Sequence, residues 1–136
     1  MGNRRKAREN ALQLLYELEF DGERSKSGAR WDSFAEDDMV ASGEIRLFAE
    51  ELVKGVKANE EAIDECIRGA STNWKLERMA LVDRNILRMA TYELLYLSEI
   101  PRKVSMNEAI EIAKRFGTED SSAFINGILD KIAGQS

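Results

Sequence analysis

Four cationic side chains crowd the start of the chain: Arg4, Arg5, Lys6 and Arg8, with no acid among the first eight residues. A guanidinium presents a planar fork of donors that fits phosphate oxygens, and each phosphate neutralised releases counterions. The same plane stacks on an unpaired base. The chemistry this cluster suits is contact with a polyanion rather than bond making. The alternative is a solvated helix end whose charges meet only water. The remainder of the 136-residue chain is acidic. The head takes four of the 20 basic side chains and none of the 25 acids, so the rest carries a balance of -9 within a net charge of -5. A basic head on an acidic body points to a localised contact, not to a surface that coats nucleic acid along its length.

Other chemistries lose their residues at once. The chain has no histidine and one cysteine, Cys66. Ser-His and Cys-His nucleophile pairs cannot be assembled, and structural zinc and iron-sulfur centres lack a ligand set. No disulfide can close within the chain, and a lone thiol suits a reducing cytoplasm. Composition leaves a carboxylate-only magnesium or calcium site open, but no acid cluster has calcium-loop spacing. Gly117 stands alone before Thr118, and Gly127 and Gly134 are helix-spaced, so no glycine-rich phosphate loop exists. The expectation is a protein that is not an enzyme and carries no cofactor or metal. Glu9, Asn10, Gln13 and Glu17 interrupt the apolar residues after the basic start, which excludes a signal peptide. No apolar run approaches the roughly 20 residues of a membrane span. With 43% hydrophobic and 33% charged residues, the chain reads as one globular, cytoplasmic domain over 1–136.

The elements that must position the cationic head are helical. Ala7, Ala11, Leu14, Leu15 and Leu18 recur at three- and four-residue steps, giving a helix over 3–20 with Asn3 as its cap. Arg4 and Arg8, one turn apart, share a face. Residues 21–31 read as a loop, and Trp31, Phe34, Ala35 and Met39 as a short helix in the acidic stretch Asp32 to Asp38. From Gly43 to Ala70 one long helix is the simplest reading, although Asn59 could cap a second. Cys66 lies on its stripe as a packing thiol. Trp74 to Arg78 form a short helical turn. Residues 80–97 make the most apolar and therefore central helix, on Val82, Ile86, Met89, Ala90, Leu94 and Leu97. Ser105 and Glu108 have capping-box spacing for a helix that runs to Phe116 and stops at Gly117. Asp120 or Ser121 caps the last helix. No strand pattern, repeat or low-complexity tract is present. The fold class is all-α, six to seven helices.

Several segments resemble the bacterial NusB family of transcription antitermination factors. They are Arg4-Arg5-Lys6-Ala7-Arg8-Glu9-Asn10-Ala11-Leu12-Gln13-Leu14-Leu15-Tyr16, the stretch Leu81 to Ala90 followed by Tyr92-Glu93-Leu94, and Ile100-Pro101 with Lys103-Val104 and Asn107-Glu108-Ala109. Ala113-Lys114, Phe116-Gly117-Thr118-Glu119-Asp120-Ser121 and Phe124 to Lys131 complete the set. Order and spacing agree from residue 4 to about 132, with little contribution from 21–42. The resemblance implies two small helical bundles packed together. It also implies a non-enzymatic factor that binds boxA-type single-stranded RNA with NusE, a small ribosomal-subunit protein, in the antitermination complex on RNA polymerase, notably in ribosomal RNA operons.

Residue by residue, the resemblance implies RNA binding for Arg4, Arg5, Lys6, Arg8, Asp120 and Phe124, and a NusE contact for Tyr16 and Asp83. Each role has a plain structural counterpart. Phe124 shares a helix with Ile125 and Ile128 and could pack as they do. Asp120 could cap the last helix, and Asp83 suits the positive end of the central helix. Tyr16 fits a helix edge, ring inward and hydroxyl outward. Phe116 reads as core, and Asn107 and Asn126 receive no role. Two rival readings stand beside this one. The first is a protein-only adaptor or a homodimer that masks the RNA face. The second is a relative of the helical domain found at the N-terminus of some ribosomal RNA methyltransferases, where ending at Ser136 leaves no room for the cofactor-binding part.

Overall fold

The computed structural model describes residues 2–21 and 43–135. The loop and short helix expected over 21–39, with the acids Asp32 to Asp38, lie outside the described residues apart from Asp21, the last residue of the first helix. Among the described residues the elements are α1 (Gly2–Asp21), α2 (Gly43–Ala58), α3 (Glu60–Ala70), a 3-10 turn (Leu76–Arg78), α4 (Leu81–Tyr96), α5 (Arg102–Phe116) and α6 (Ser121–Gln135), with no strand. The chain divides into two compact units, Met1–Lys54 and Gly55–Ser136.

In the first unit the expected stripe of α1 is the buried one: Ala7, Ala11, Leu14 and Leu15 are buried and Leu18 is half-buried. The part of α2 in this unit buries Ile45, Phe48, Ala49, Leu52 and Val53. The helix begins at Gly2, so Asn3 is helical rather than the cap, and its amide reaches Glu44 Oε1 at 3.5 Å.

The second unit is built around α4, which contacts α3, α5 and α6. Its residues Asn85 to Glu93 are all buried, as expected of a central helix. Burial on every side makes partners valuable to its polar residues; Thr91 Oγ1 is buried without one among the described residues, but the charged Arg88 and Glu93 are satisfied. Arg88 grips Asp64 of α3 with both edges, Nε donating to Oδ1 at 2.8 Å and Nη2 to Oδ2 at 3.1 Å. Glu60 approaches the same guanidinium at 3.5 Å, and Asn85 Oδ1 accepts from Nη1 at 3.4 Å. On the other side Ser105 of α5 donates to Glu93 Oε1 at 2.6 Å.

That last bond corrects the capping-box expectation. The helix starts at Arg102, directly after Pro101, so Ser105 is already inside it. Its hydroxyl serves a buried carboxylate on another helix. The expected long helix is interrupted at one residue, Asn59. The ladder continues through it, with Asn59 N–H donating to Gly55 O at 3.1 Å and Ile63 N–H to Asn59 O at 2.9 Å. Asn59 does not cap α3 with its side chain, which donates back to Gly55 O at 2.9 Å. Gly55 itself is a close-approach position: a Cβ there would overlap the ring of Tyr92. Cys66 is half-buried, and burial pushes its thiol above the ordinary range, which suits a packing role. No helix among the described residues is long and apolar enough to cross a membrane.

Candidate nucleic-acid interface

In the first unit, α1 presents the cationic head unevenly. Arg4 and Lys6 are exposed, Arg5 is half-buried, and Arg8 is only 3% exposed. Arg8 adjoins Ala7 and precedes Ala11 by one turn, so the apolar stripe draws it inward. The shared face expected of Arg4 and Arg8 is real, and what they share is Phe48. The Arg4 guanidinium lies 4.2 Å from that ring's centroid and the Arg8 guanidinium 5.4 Å. Such stacking occupies the flat face of a guanidinium and leaves its in-plane N–H donors for an anion. A shallow groove of ≈ 280 Å³ opens here, lined by Asn3, Arg4, Glu44, Leu47, Phe48 and Glu51. Two acids in that lining confine the positive field to the side of Arg4. Further along α1, Tyr16 is half-buried and stacks on Phe20, with centroids 6.1 Å apart and planes at 11°. Phe20 is 69% exposed, so the pair forms an aromatic edge.

In the second unit the residues of interest gather at the corner between α5 and α6. Gly117 ends α5, its N–H donating to Ala113 O at 2.8 Å. A Cβ on Gly117 would overlap the Ser121 side chain and the Ala113 carbonyl, so only glycine lets the chain turn this tightly. The Ser121 hydroxyl accepts from Thr118 N–H at 2.9 Å and donates to Asp83 Oδ1 at 2.7 Å. Asp83 comes from the first turn of α4. The corner is therefore clamped to the central helix through one buried serine.

Asp120 sits on this clamped corner. Its carbonyl accepts from Phe124 N–H at 3.1 Å, the backbone bond of a capping position. Its carboxylate is exposed and makes no hydrogen bond or ion pair among the described residues, so the side chain does not cap α6. Phe124, one turn on, is half-buried and meets Trp74 edge to face, centroids 6.1 Å apart and planes at 87°. Phe116, expected in the core, is 43% exposed at the end of α5, with the Arg115 guanidinium 5.1 Å from its ring centroid. Asn107 and Asn126 are exposed.

The structure thus groups Arg4 and Arg8 around Phe48, and Asp83 with the corner that carries Asp120 and Phe124. Three contributors went unread in the sequence. Phe48, an apolar residue in the stretch from Gly43 to Ala70, carries no local sign of a platform for cations. Ser121 was weighed only as a cap. Trp74 was counted into a short helical turn, although an aromatic among Ser71, Thr72, Asn73 and Lys75 is itself a signal of exposure. Among the described residues no group of three or more acids or thiols is placed to hold a metal ion.

Comparison with known proteins places these features in a family. The model of the NusB family matches residues 5–134. The transcription antitermination protein NusB of Desulfitobacterium hafniense is 51% identical over 130 residues, covering 96% of this chain and 87% of that protein. The solved structure of T. maritima NusB superposes with a TM-score of 0.85 at 40% identity, over 97% of this chain and 91% of that one. A chain in the crystal structure of antitermination factors NusB and NusE in complex with dsRNA gives a TM-score of 0.88 over 100% and 99%. At 24% identity that likeness is one of fold.

Proposed function

The chain belongs to the NusB family, and from that premise we propose that it is a transcription antitermination factor that binds boxA-type RNA together with NusE. The work is binding, without a chemical step, and takes place in the bacterial cytoplasm where nascent RNA is made. The observation that carries the reading is the head of α1, where exposed Arg4 lies over the Phe48 ring and Lys6 is exposed two residues on.

The mechanism divides between the units. Arg4, Arg5 and Lys6 hold phosphates, and counterion release supplies salt-dependent affinity. Arg8, buried against the same ring as Arg4, supports the head from beneath. At the corner, Phe124 offers a ring for an unstacked base. Asp120, whose carboxylate is uncommitted, accepts from base amino groups and repels misplaced phosphates. With Asp83 Oδ1 engaged by Ser121, its second oxygen is left for a basic side chain of NusE. The Tyr16–Phe20 edge supplies an apolar patch for the same partner.

The test is a titration of labelled boxA-type and scrambled RNA, with and without NusE, at several salt concentrations. The expected result is a preference for boxA that grows when NusE is added. No preference in either condition would sink the reading. A dimer that dissociates only when RNA is added would instead favour the self-masked homodimer.

A further inference from the structure

The second unit carries an open groove of ≈ 430 Å³ that the roles above leave unused. Trp74 stands in its lining and is 57% exposed, a large aromatic that a folded chain normally hides. We propose that Trp74 is a second base-stacking platform, and that the groove beside it takes the nucleotide adjoining the one on Phe124. The inference rests on the RNA-binding reading of Phe124 and deepens it.

The backbone under Trp74 is held. The Ser71 hydroxyl donates to Trp74 O at 3.0 Å, and Arg84 Nη1 donates to Leu76 O at 3.0 Å. Ser71 and Leu76 are buried on either side. The indole is thus presented from a fixed loop, which lowers the ordering cost of binding. Its edge-to-face contact with Phe124 sets the two rings nearly perpendicular, 6.1 Å between centroids. A base on each would have to be splayed from its neighbour, the form in which single-stranded RNA is read.

The rest of the groove matches a nucleotide. Asn73 and Thr72 supply amide and hydroxyl groups for base or sugar edges. Arg68 and Lys75 set two cations against the single acid Glu77. Glu77 is bonded to Arg68 at 3.2 Å, and its own backbone and that guanidinium hold its carboxyl below the usual range. Lys75 has no close ion pair among the described residues, acts on Glu77 only at longer range, and is the ammonium best placed to meet a phosphate. A groove with one exposed ring, hydrogen-bonding edges and a spare ammonium suits single-stranded RNA better than an apolar peptide.

The indole itself is the probe. Trp31→Phe leaves Trp74 as the only tryptophan of the two in the chain. In that background, boxA-type single-stranded RNA should quench the fluorescence in step with the binding curve. Trp74→Ala should weaken RNA binding about 5- to 150-fold with an unchanged salt slope. Trp74→Tyr should keep affinity within about fivefold, because the ring is retained. Lys75→Ala should flatten the salt slope by about 0.7, one phosphate's worth on a single strand. An unquenched indole, with Trp74→Ala binding as the parent does, overturns the inference. If Arg4→Ala still weakens binding in that case, the RNA-binding function stands. RNA bound by no variant, the parent included, overturns both. Quenching by NusE in the absence of RNA makes the groove a protein contact and overturns the inference alone. Circular dichroism checks each fold, and if Trp74→Ala loses helix, the fluorescence of the intact indole decides.

Discussion

The head of α1 and the α5–α6 corner differ in how they are built, and on the proposed reading both meet the same RNA. The head relies on number and charge. Its outer cations are long side chains at the surface, steadied by one ring beneath Arg4. The corner relies on position. Ser121 is buried, bonded on both sides, and fixed to α4 through Asp83. Charge of the first kind attracts any phosphate and weakens with salt. A fixed corner adds little attraction but holds Asp120 and Phe124 in place, which on the proposed reading is where a base is read. If both meet RNA as proposed, the contrast assigns affinity to one unit of the chain and discrimination to the other.

That contrast can be broken from either side. The largest effect is expected from Arg88→Ala, which strands Asp64 and Glu60 near a buried site and should cost about 3–5 kcal/mol. Chemical denaturation reads it, and a loss under about 1 kcal/mol would show that α4 does not need this pair to hold the corner. Next comes the triple variant Arg4→Ala, Arg5→Ala, Lys6→Ala. Three lost phosphate contacts should flatten the salt slope by about 2, so that between about 50 and 200 mM salt its RNA affinity falls roughly 20-fold less than the parent's. An unchanged slope would remove the head from the interface. Ser121→Ala should cost about 1 kcal/mol of stability and blunt the preference for boxA over scrambled RNA while leaving the salt slope intact. A variant that keeps full preference would show that the clamp is purely structural. The smallest effect belongs to Asp120→Asn, which removes a repulsive charge and should tighten RNA binding about threefold at low salt. Weaker binding would mean that the carboxylate accepts a bond from RNA that the amide cannot replace.

Much of this is legible in the sequence. Apolar period sets the helices because burial repeats with the turn, and the central place of α4 follows from its broad apolar stripe. What failed was long-range. Ser105 and Glu108 have the spacing of a cap, yet the partner of Ser105 is Glu93 on another helix, 12 residues away. Phe116 is as apolar as any core residue, but it falls at the last position of α5 and is 43% exposed there. The cluster Arg4, Arg5, Lys6 and Arg8 was visible as charge. That Arg8 turns inward was not, because a count of charges carries no direction. Asp83 and Ser121 lie 38 residues apart, and no local pattern links them.

The near-contact between Gly55 and Tyr92 reaches beyond this one molecule. With the tyrosine ring where a Cβ would stand, the two positions share a single allotment of space. A lineage of such chains that enlarges residue 55 must move or shrink the ring at residue 92. A descendant with alanine at the first position should carry a smaller or displaced side chain at the second.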